Sequence, residues 1–450
     1  MSRLCRPALR GMTLVEMLVA MAASLMLMAA VAQVFGAFSG AMSNSRAILE
    51  TDGRLRNVAR RLRDDLRGVT VQLLPPRNPE QGEGYFEVIE GPLNDAVAAD
   101  GEAVAAADID DVLLFTTRSS GTPFIGRMPT VGLAVNMTDM FESPVAEVAW
   151  FARPTPGASS PATFTLYRKQ LLVTGYVGVD PFTPDNTVSW TTYGGTWSGY
   201  YNAPCDISVR RENNTLYPNT LADLTRRENR FMHNRGGVTD GTPFPFPFVD
   251  HTIASTSSAV DAVETLPPAL EGLVFDSTSQ RQGEDIVLTN VLAFDVRVFD
   301  PAAPIRDSGN GTALVPGDPG FTTGTDAGSG CYVDLGHGVT ANSLITPTVP
   351  LFSAASGTVG GSGDTLTRTY CTWSTHYEAN GIDDDGDGLV DQGTDGLDDN
   401  GNGLIDDADE QETAPPYPYP LRGIEVRIRV YEPSSRQVRQ VTVRQTFVPH

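Results

Sequence analysis

The chain has 450 residues, a formal charge of −23, 44 glycines and 32 prolines. That length predicts two or three modules, or one module with large insertions, and the Gly and Pro content predicts many turns rather than long helices. The negative charge argues against nucleic acid, whose phosphates would repel the chain, and against an anionic bilayer surface except at the basic N-terminus. The charge is uneven. Asp383 to Glu412 holds eleven Asp and two Glu with no Lys or Arg, so over half the net charge sits in thirty residues.

Residues Met1 to Gly11 carry Arg3, Arg6 and Arg10 and no acid. From Met17 to Phe38 no charge occurs, and Ser24 and Gln33 are the uncharged polar interruptions. Those 22 residues make about 33 Å of helix, enough for a bilayer core of about 30 Å. The preceding arginines predict a cytoplasmic N-terminus, with the remaining ~410 residues across the membrane. A cleaved signal peptide would end in a small-x-small site, whereas here the apolar run passes into another helical pattern. A plain signal anchor accounts for the length but not for Glu16, a carboxylate inside the apolar segment that needs a partner.

The run Gly11-Met12-Thr13-Leu14-Val15-Glu16 resembles the processing motif of type IV prepilins and type II secretion pseudopilins. The resemblance implies that a prepilin peptidase cuts after Gly11 and that Met12 becomes the methylated N-terminus. It also implies that Glu16 pairs with the terminal amine of a neighbouring pilin or pseudopilin subunit during assembly. Phe is commoner in that family where Met12 stands here. Beyond the apolar run, Leu55, Val58, Ala59, Leu62, Leu66 and Val69 recur at three- and four-residue steps. Arg54, Arg56, Arg60, Arg61, Arg63, Asp64, Asp65 and Arg67 lie between them. This predicts an amphipathic helix with one face on a sheet and the other in solvent. It either continues the membrane helix or is a second helix after a break near Gly36 to Gly40.

After Pro75 the pattern changes to short strands between turn-rich stretches. Val112–Thr117, Val148–Ala152 and Phe164–Arg168 are rich in aromatic and β-branched residues and predict strands. Ile286 to Phe299 is the clearest, with Leu292, Phe294, Val296 and Val298 alternating against Ala293, Asp295 and Arg297, as a sheet with one buried face requires. Ile424, Val426, Ile428 and Val430 alternate with Glu425, Arg427 and Arg429. A turn at Glu432-Pro433-Ser434-Ser435 and a return over Val441–Phe447 complete a predicted C-terminal hairpin.

The order of these pieces resembles the minor pseudopilin J and W-type minor pilins over about half the chain. The resemblance implies an α+β, pilin-like fold: a long N-terminal hydrophobic-then-amphipathic helix packed on an antiparallel β-sheet domain with large loop insertions. The expected organisation is a leader at 1–11, a membrane and filament-core helix at 12–38 and an amphipathic helix at 39–74. A β domain follows at 75–300 with an insertion at about 176–282. A second insertion occupies 301–420 and the hairpin 421–450. The expected location is the inner membrane, single-pass, with the C-terminal domain periplasmic or exposed on the filament. The role implied is assembly in a tip complex, not catalysis. The alternative is a calcium-dependent pilus-tip adhesin or surface-binding module on the same anchor.

Residues 380–391 (NGIDDDGDGLVD) and 395–406 (DGLDDNGNGLID) match at seven of twelve positions when shifted by fifteen. Ca²⁺ takes six to eight oxygens, and a loop with oxygens at alternate positions and a glycine at the sixth can wrap it. The first copy offers Asp383, Asp385, Asp387, the Leu389 carbonyl and Asp391; Thr394 stands at its twelfth place, and Asp395 is a substitute. The second offers Asp398, Asn400, Asn402, the Leu404 carbonyl, Asp406 and Asp409. The competing reading is a solvated acidic linker. Three residues between Asp391 and Asp395 leave no room for an EF-hand helix, and the repeat resembles the helix-free calcium loops of thrombospondin type 3 modules. Calcium is therefore the expected cofactor of the 380–412 segment, ordering an otherwise self-repelling run.

Cys331 and Cys371 flank much of the second insertion, and outside the cytoplasm a disulfide between them is the default, worth about 3–4 kcal/mol. Cys205 would stay unpaired. A Cys₂His₂ zinc site with His337 and His376 has unusual spacings. No Ser-His-Asp order with a nucleophile elbow, no P-loop and no GxGxxG after a strand appears, so no enzyme is expected.

Overall fold

The computed structural model describes residues 13–90, 108–129, 138–155, 163–174, 188–231, 281–337, 351–352, 368–373, 379, 381 and 388–449. Within those stretches 76, 78, 110, 196, 227–228, 282, 319, 400, 402, 407–409, 411–416 and 418 are left out. The described chain is α+β. Two compact units are distinguished: the helix up to Gly53 with the turn Glu432–Gln437, and the remainder from Arg54 onward.

Helix α1 runs without a break over Leu14–Arg67. Of the two readings, the continuous helix is the one observed: no break occurs near Gly36 to Gly40, because two glycines within a run of helix-forming residues cost little. Its segment Leu14–Gly36 is long and apolar enough to cross a membrane, and its large side chains are exposed. In the first unit the Thr51 hydroxyl donates to Glu432 Oε2 at 2.6 Å. In the second, Leu55, Val58, Ala59, Leu62 and Leu66 are buried, as the three- and four-residue spacing predicts.

Asp65 departs from its expected place on the polar flank. It is buried, and Arg168 grips it with two hydrogen bonds, Nε to Oδ2 and Nη2 to Oδ1, each 2.7 Å. The Trp150 indole N–H donates to the same Oδ2 at 3.1 Å, and the Thr117 hydroxyl donates to the Asp65 carbonyl at 2.6 Å. The helix ends immediately afterwards. A Cβ at Gly68 would lie 2.2 Å from the Arg118 carbonyl oxygen, so only glycine lets the chain end approach that strand.

The strands in chain order are β1 (Phe86–Glu90), β2 (Val112–Arg118), β3 (Phe124–Pro129), β4 (Thr138–Ser143), β5 (Val145–Pro154) and β6 (Phe164–Leu172). Next come β7 (Val188–Ser189), the short helix α2 (Trp197–Asn202), β8 (Val209–Glu212) and β9 (Thr215–Pro218). The remainder are β10 (Ile286–Asp307), β11 (Ala313–Leu314), β12 (Thr325–Val333), β13 (Arg368–Cys371), β14 (Gly423–Glu432) and β15 (Gln437–Thr446). The main sheet has the order β13-β1-β2-β5-β6-β10-β14-β15, with β11 and β12 also pairing β10. Its neighbouring strands pair antiparallel, in registers such as Phe115 opposite Val148 and Val296 opposite Val426. The C-terminal hairpin forms as expected, although its return strand begins at Gln437, four residues before Val441.

One expectation is corrected. The alternation in β10 and β14 predicts a solvated polar face, yet Asp295, Arg297 and Glu425 are buried together with the apolar residues. These charges neutralise one another along and between the two strands: Arg297 Nε reaches Asp295 Oδ1 at 3.0 Å within β10, Arg427 Nε reaches Glu425 Oε1 at 2.6 Å within β14, and Arg427 Nη1 lies 3.7 Å from Asp295 Oδ2 between them. The stretches read as insertions also contribute core. In the first, β7-β9-β8 form a small sheet, and Tyr200, Tyr201, Cys205, Leu216 and Phe231 are buried. Arg230 is fully buried, its Nη1 lying 2.9 Å from Glu87 Oε2 and its guanidinium 4.1 Å from the Tyr85 ring centre. In the second, β12 pairs with β10 and β13 with β1, while Phe352, Trp373 and Tyr417 enter the core.

Replacing Arg168 with Met leaves the Asp65 carboxylate buried without its guanidinium. The expected cost is about 3–5 kcal/mol, read as a lowered midpoint in thermal or denaturant unfolding of the detergent-solubilised chain. The exposed Arg60→Met serves as the control and shifts stability by less than about 0.5 kcal/mol.

Candidate functional site

Three groups of side chains are candidates for function. At the N-terminus, Gly11 and Met12 lie outside the described residues. Glu16 stands in the first turn of α1, where the backbone N–H and hydroxyl of Thr13 donate to Glu16 Oε2 at 2.9 and 3.0 Å. The Glu16 N–H returns a bond to Thr13 Oγ1 at 3.3 Å. This is a reciprocal capping box, a role the sequence reading missed although Thr13-x-x-Glu16 carries its spacing. In the isolated chain the carboxylate therefore satisfies helix-end N–H groups, and a neighbouring amine would have to share or replace those bonds.

In the acidic repeat, Leu389, Asp391, Asp398, Leu404 and Asp406 are described, whereas Asp383, Asp385, Asp387, Asn400, Asn402 and Asp409 lie outside the described residues. The described parts of the two copies close in the same way. The Gly381 N–H donates to Asp391 Oδ2 at 2.8 Å, and the Gly396 N–H donates to Asp406 Oδ1 at 2.8 Å. Asp391 and Asp406 both adopt left-handed backbone, with φ of 54° and 52°, and the paired glycines Gly388 and Gly403 have φ of 98° and 91°. Asp and Gly tolerate this conformation better than other residues, which ties the duplicated sequence to a duplicated turn. Described repeat residues form turns and bends, without helix. Leu389, Val390, Leu397, Leu404 and Ile405 are exposed, while Gln392 and Glu410 are buried. The Glu410 carboxylate accepts the Asp399 N–H at 2.7 Å, anchoring the second copy.

A third group was missed. Glu90, Asp108 and Asp111 place one carboxylate oxygen each within 4.8 Å of one another, and Asp108, Asp295 and Asp334 do the same. All five residues are buried. The sequence scatters them over β1, the segment before β2, β10 and the end of β12, so no spacing could have revealed the cluster. Its one visible trace is Asp295 in the alternating run of β10. The fold assembles the group because β10 meets that segment edge-on: the Phe294 N–H donates to the Asp108 carbonyl at 2.9 Å and the Val296 N–H to Asp111 Oδ2 at 2.6 Å. Arg297 Nε lies 2.9 Å from Asp334 Oδ1, and the Leu335 N–H donates to Glu90 Oε2 at 3.2 Å. Either triad has the hard oxygen donors a divalent cation prefers.

Beside it, burial alone would raise the Asp300 carboxyl, but His337 and the N–H groups of Phe352 and Ala302 outweigh burial and hold it below its ordinary value. Replacing Arg297 with Met removes the guanidinium shared by Asp295 and Asp334. The chain should lose about 3–5 kcal/mol at neutral pH, read as a lowered midpoint in denaturant unfolding.

The expected disulfide is not formed. Cys205, Cys331 and Cys371 are buried thiols. Cys331 faces the carbonyl oxygens of Ala303 and Pro304 at 3.7 and 3.8 Å, in β12 against β10. Cys371 ends β13 against β1, where its Sγ lies 3.0 Å from Arg230 Nη1. Each sulfur is thus engaged by a different part of the sheet, which is why the sequence default fails. Burial pushes the Cys331 thiol up to about 12 and the Cys205 thiol up to about 11, leaving both protonated and unreactive near neutral pH. His337 faces Asp300, with Nε2 3.9 Å from Oδ2, and His376 lies outside the described residues. Among the described residues no Cys and His ligands gather for zinc.

No protein-family model, curated protein or solved structure matches this chain.

Proposed function

We propose that this chain is a minor pseudopilin or minor pilin, processed by a prepilin peptidase and assembled with other pilin or pseudopilin subunits from the inner membrane. The observation that carries the reading is the single helix Leu14–Arg67, apolar in its first half and sheet-facing in its last turns, preceded by Gly11-Met12 and capped through Glu16. An apolar segment with exposed side chains needs a non-aqueous environment, and a bilayer or a bundle of like helices supplies one. An antiparallel sheet gripping the distal end of that helix suits a filament subunit. Its helix would enter the filament core while the sheet domain stays at the surface. The work is assembly, with no catalytic step.

Calcium is part of the same proposal. The repeat contributes oxygen donors at alternate positions in both copies, and its described turns close identically at Gly381–Asp391 and Gly396–Asp406. Cation binding there would draw the two loops together and stiffen the approach to the C-terminal hairpin.

Glu16→Ala should leave cleavage after Gly11 largely intact but strongly reduce incorporation into filaments, read by immunoblot of processed subunit against sheared filament fractions. Normal filament yield would remove the assembly role from Glu16. For calcium, titration calorimetry of the solubilised chain should show binding at millimolar Ca²⁺ or below and a rise in unfolding temperature. Asp398→Asn with Asp406→Asn should weaken that binding at least about tenfold. Absence of heat and of a stability shift at millimolar Ca²⁺ would reject the claim.

A further inference from the structure

Arg56, Arg60, Arg63 and Arg67 recur at steps of four, three and four residues, which sets them along one flank of α1 over about 16 Å. This flank lies beside the buried stripe of Leu55, Leu62 and Leu66. The Arg60 and Arg67 side chains are 84% and 70% exposed, and Arg56 is exposed as well. Among the described residues the ladder meets one carboxylate, Asp64, whose oxygens stand 3.8 Å from both Arg60 Nε and Arg67 Nη1. Like charges at these spacings disfavour the helix that carries them. A four-arginine ladder in a chain of net charge −23 is therefore a local reversal of sign that internal pairing leaves largely open.

The complementary surface is present in the same chain. Asp383 to Glu412 carries thirteen carboxylates and no cation. Its described members Asp395, Asp398, Asp399 and Asp406 are exposed, as are Leu397, Leu404 and Ile405 beside them. Among the described residues the ion pairs of the ladder go to Asp64 and none to the repeat, which leaves a contact between ladder and repeat to a second copy.

We infer that the arginine ladder of one copy docks the acidic repeat of a second copy. Guanidinium groups match carboxylates bidentately, and the ladder offers four along a straight flank. Exposed apolar side chains in the repeat add contact area that a purely solvated linker would not present. Calcium bound at the repeat would neutralise part of that charge, so the contact is measured without added calcium, and its failure there is distinguishable from failure of the calcium proposal.

The test uses two differently tagged full-length versions, mixed in a mild neutral detergent without added calcium, with one captured and the other quantified. Co-isolation should be strong at about 50 mM NaCl and fall at least tenfold at about 500 mM, as screening shortens the range of exposed charges. Arg56→Gln, Arg60→Gln and Arg67→Gln together should reduce it at least tenfold with an unchanged circular-dichroism melt. Arg56→Glu, Arg60→Glu and Arg67→Glu should abolish it. Mixing that reversed ladder with a copy carrying Asp395→Arg, Asp398→Arg and Asp399→Arg should restore it. Co-isolation indifferent to salt and to the glutamine set would overturn the inference. So would a lack of self-association at low salt, or a ladder that binds only vesicles containing anionic phospholipid.

Discussion

The grip of Arg168 and Trp150 on Asp65 is the contact on which the fold turns. A helix carrying six arginines and two acids between Arg54 and Arg67 has little electrostatic reason to lie flat on a sheet. Its leucine stripe supplies a hydrophobic force, but that force is non-directional and permits sliding by a turn. The two parallel hydrogen bonds from Arg168, the indole N–H of Trp150 and the Thr117 hydroxyl all act on one helical residue. They fix both the rotation and the axial position of the helix against β2, β5 and β6. A buried ion pair is weak evidence of net stability, since desolvation offsets most of its attraction. Its contribution here is register, which the oily stripe cannot provide.

The same logic explains how the inserted stretches became part of the core. Glu147 is buried in β5, yet its carboxylate accepts from the Tyr85 hydroxyl at 2.7 Å, the Ser208 hydroxyl at 2.6 Å and the Phe231 N–H at 2.8 Å. Two of those donors belong to the first insertion. Removing the insertion would strand the carboxylate, and removing the carboxylate would strand the donors. Arg230 and Glu87 repeat the arrangement on β1. Polar groups of the sheet are therefore completed by residues far along the chain, and sheet and insertion fold as one cooperative body rather than as a domain with an appendage.

What could be read from the sequence follows from this. Periodicity shows the helix stripe from Leu55 to Leu66 and the strands at Val112, Val145, Phe164, Ile286 and Gly423, because burial of alternating or helically spaced apolar residues is a local property. It fails at Asp65, Asp295, Arg297 and Glu425. Each of these reads locally as a solvent-facing charge, yet each also meets a partner from another segment: Arg168 for Asp65, Asp334 for Arg297, Arg427 for Asp295 and Arg444 for Glu425. The core residues inside the insertions were not legible for a related reason. Gly, Pro, Thr and Asn suit turns, but Tyr200, Tyr201 and Phe231 between them carry enough apolar area to enter the core. The Cys331–Cys371 expectation rested on compartment and separation, and neither encodes which strand each thiol lands on. At the candidate sites, Thr13-x-x-Glu16 and the doubled Asp/Asn loop were legible because their members are neighbours in sequence. The five-carboxylate cluster was not, since it exists only once β10 meets the segment before β2.

The two acidic groupings also obey different physics despite their shared chemistry. In the repeat Asp395, Asp398, Asp399 and Asp406 are exposed and Asp391 is half-buried, so water and salt screen their repulsion and the turns close on local N–H to carboxylate bonds. In the cluster around Asp108 water is excluded, and the negative charge must be met by fixed donors such as Arg297, the Val296 N–H and the Leu335 N–H. A cation reaching the buried cluster would have to compete with donors already built into the sheet, so those carboxylates serve first to hold β10 against the segment before β2.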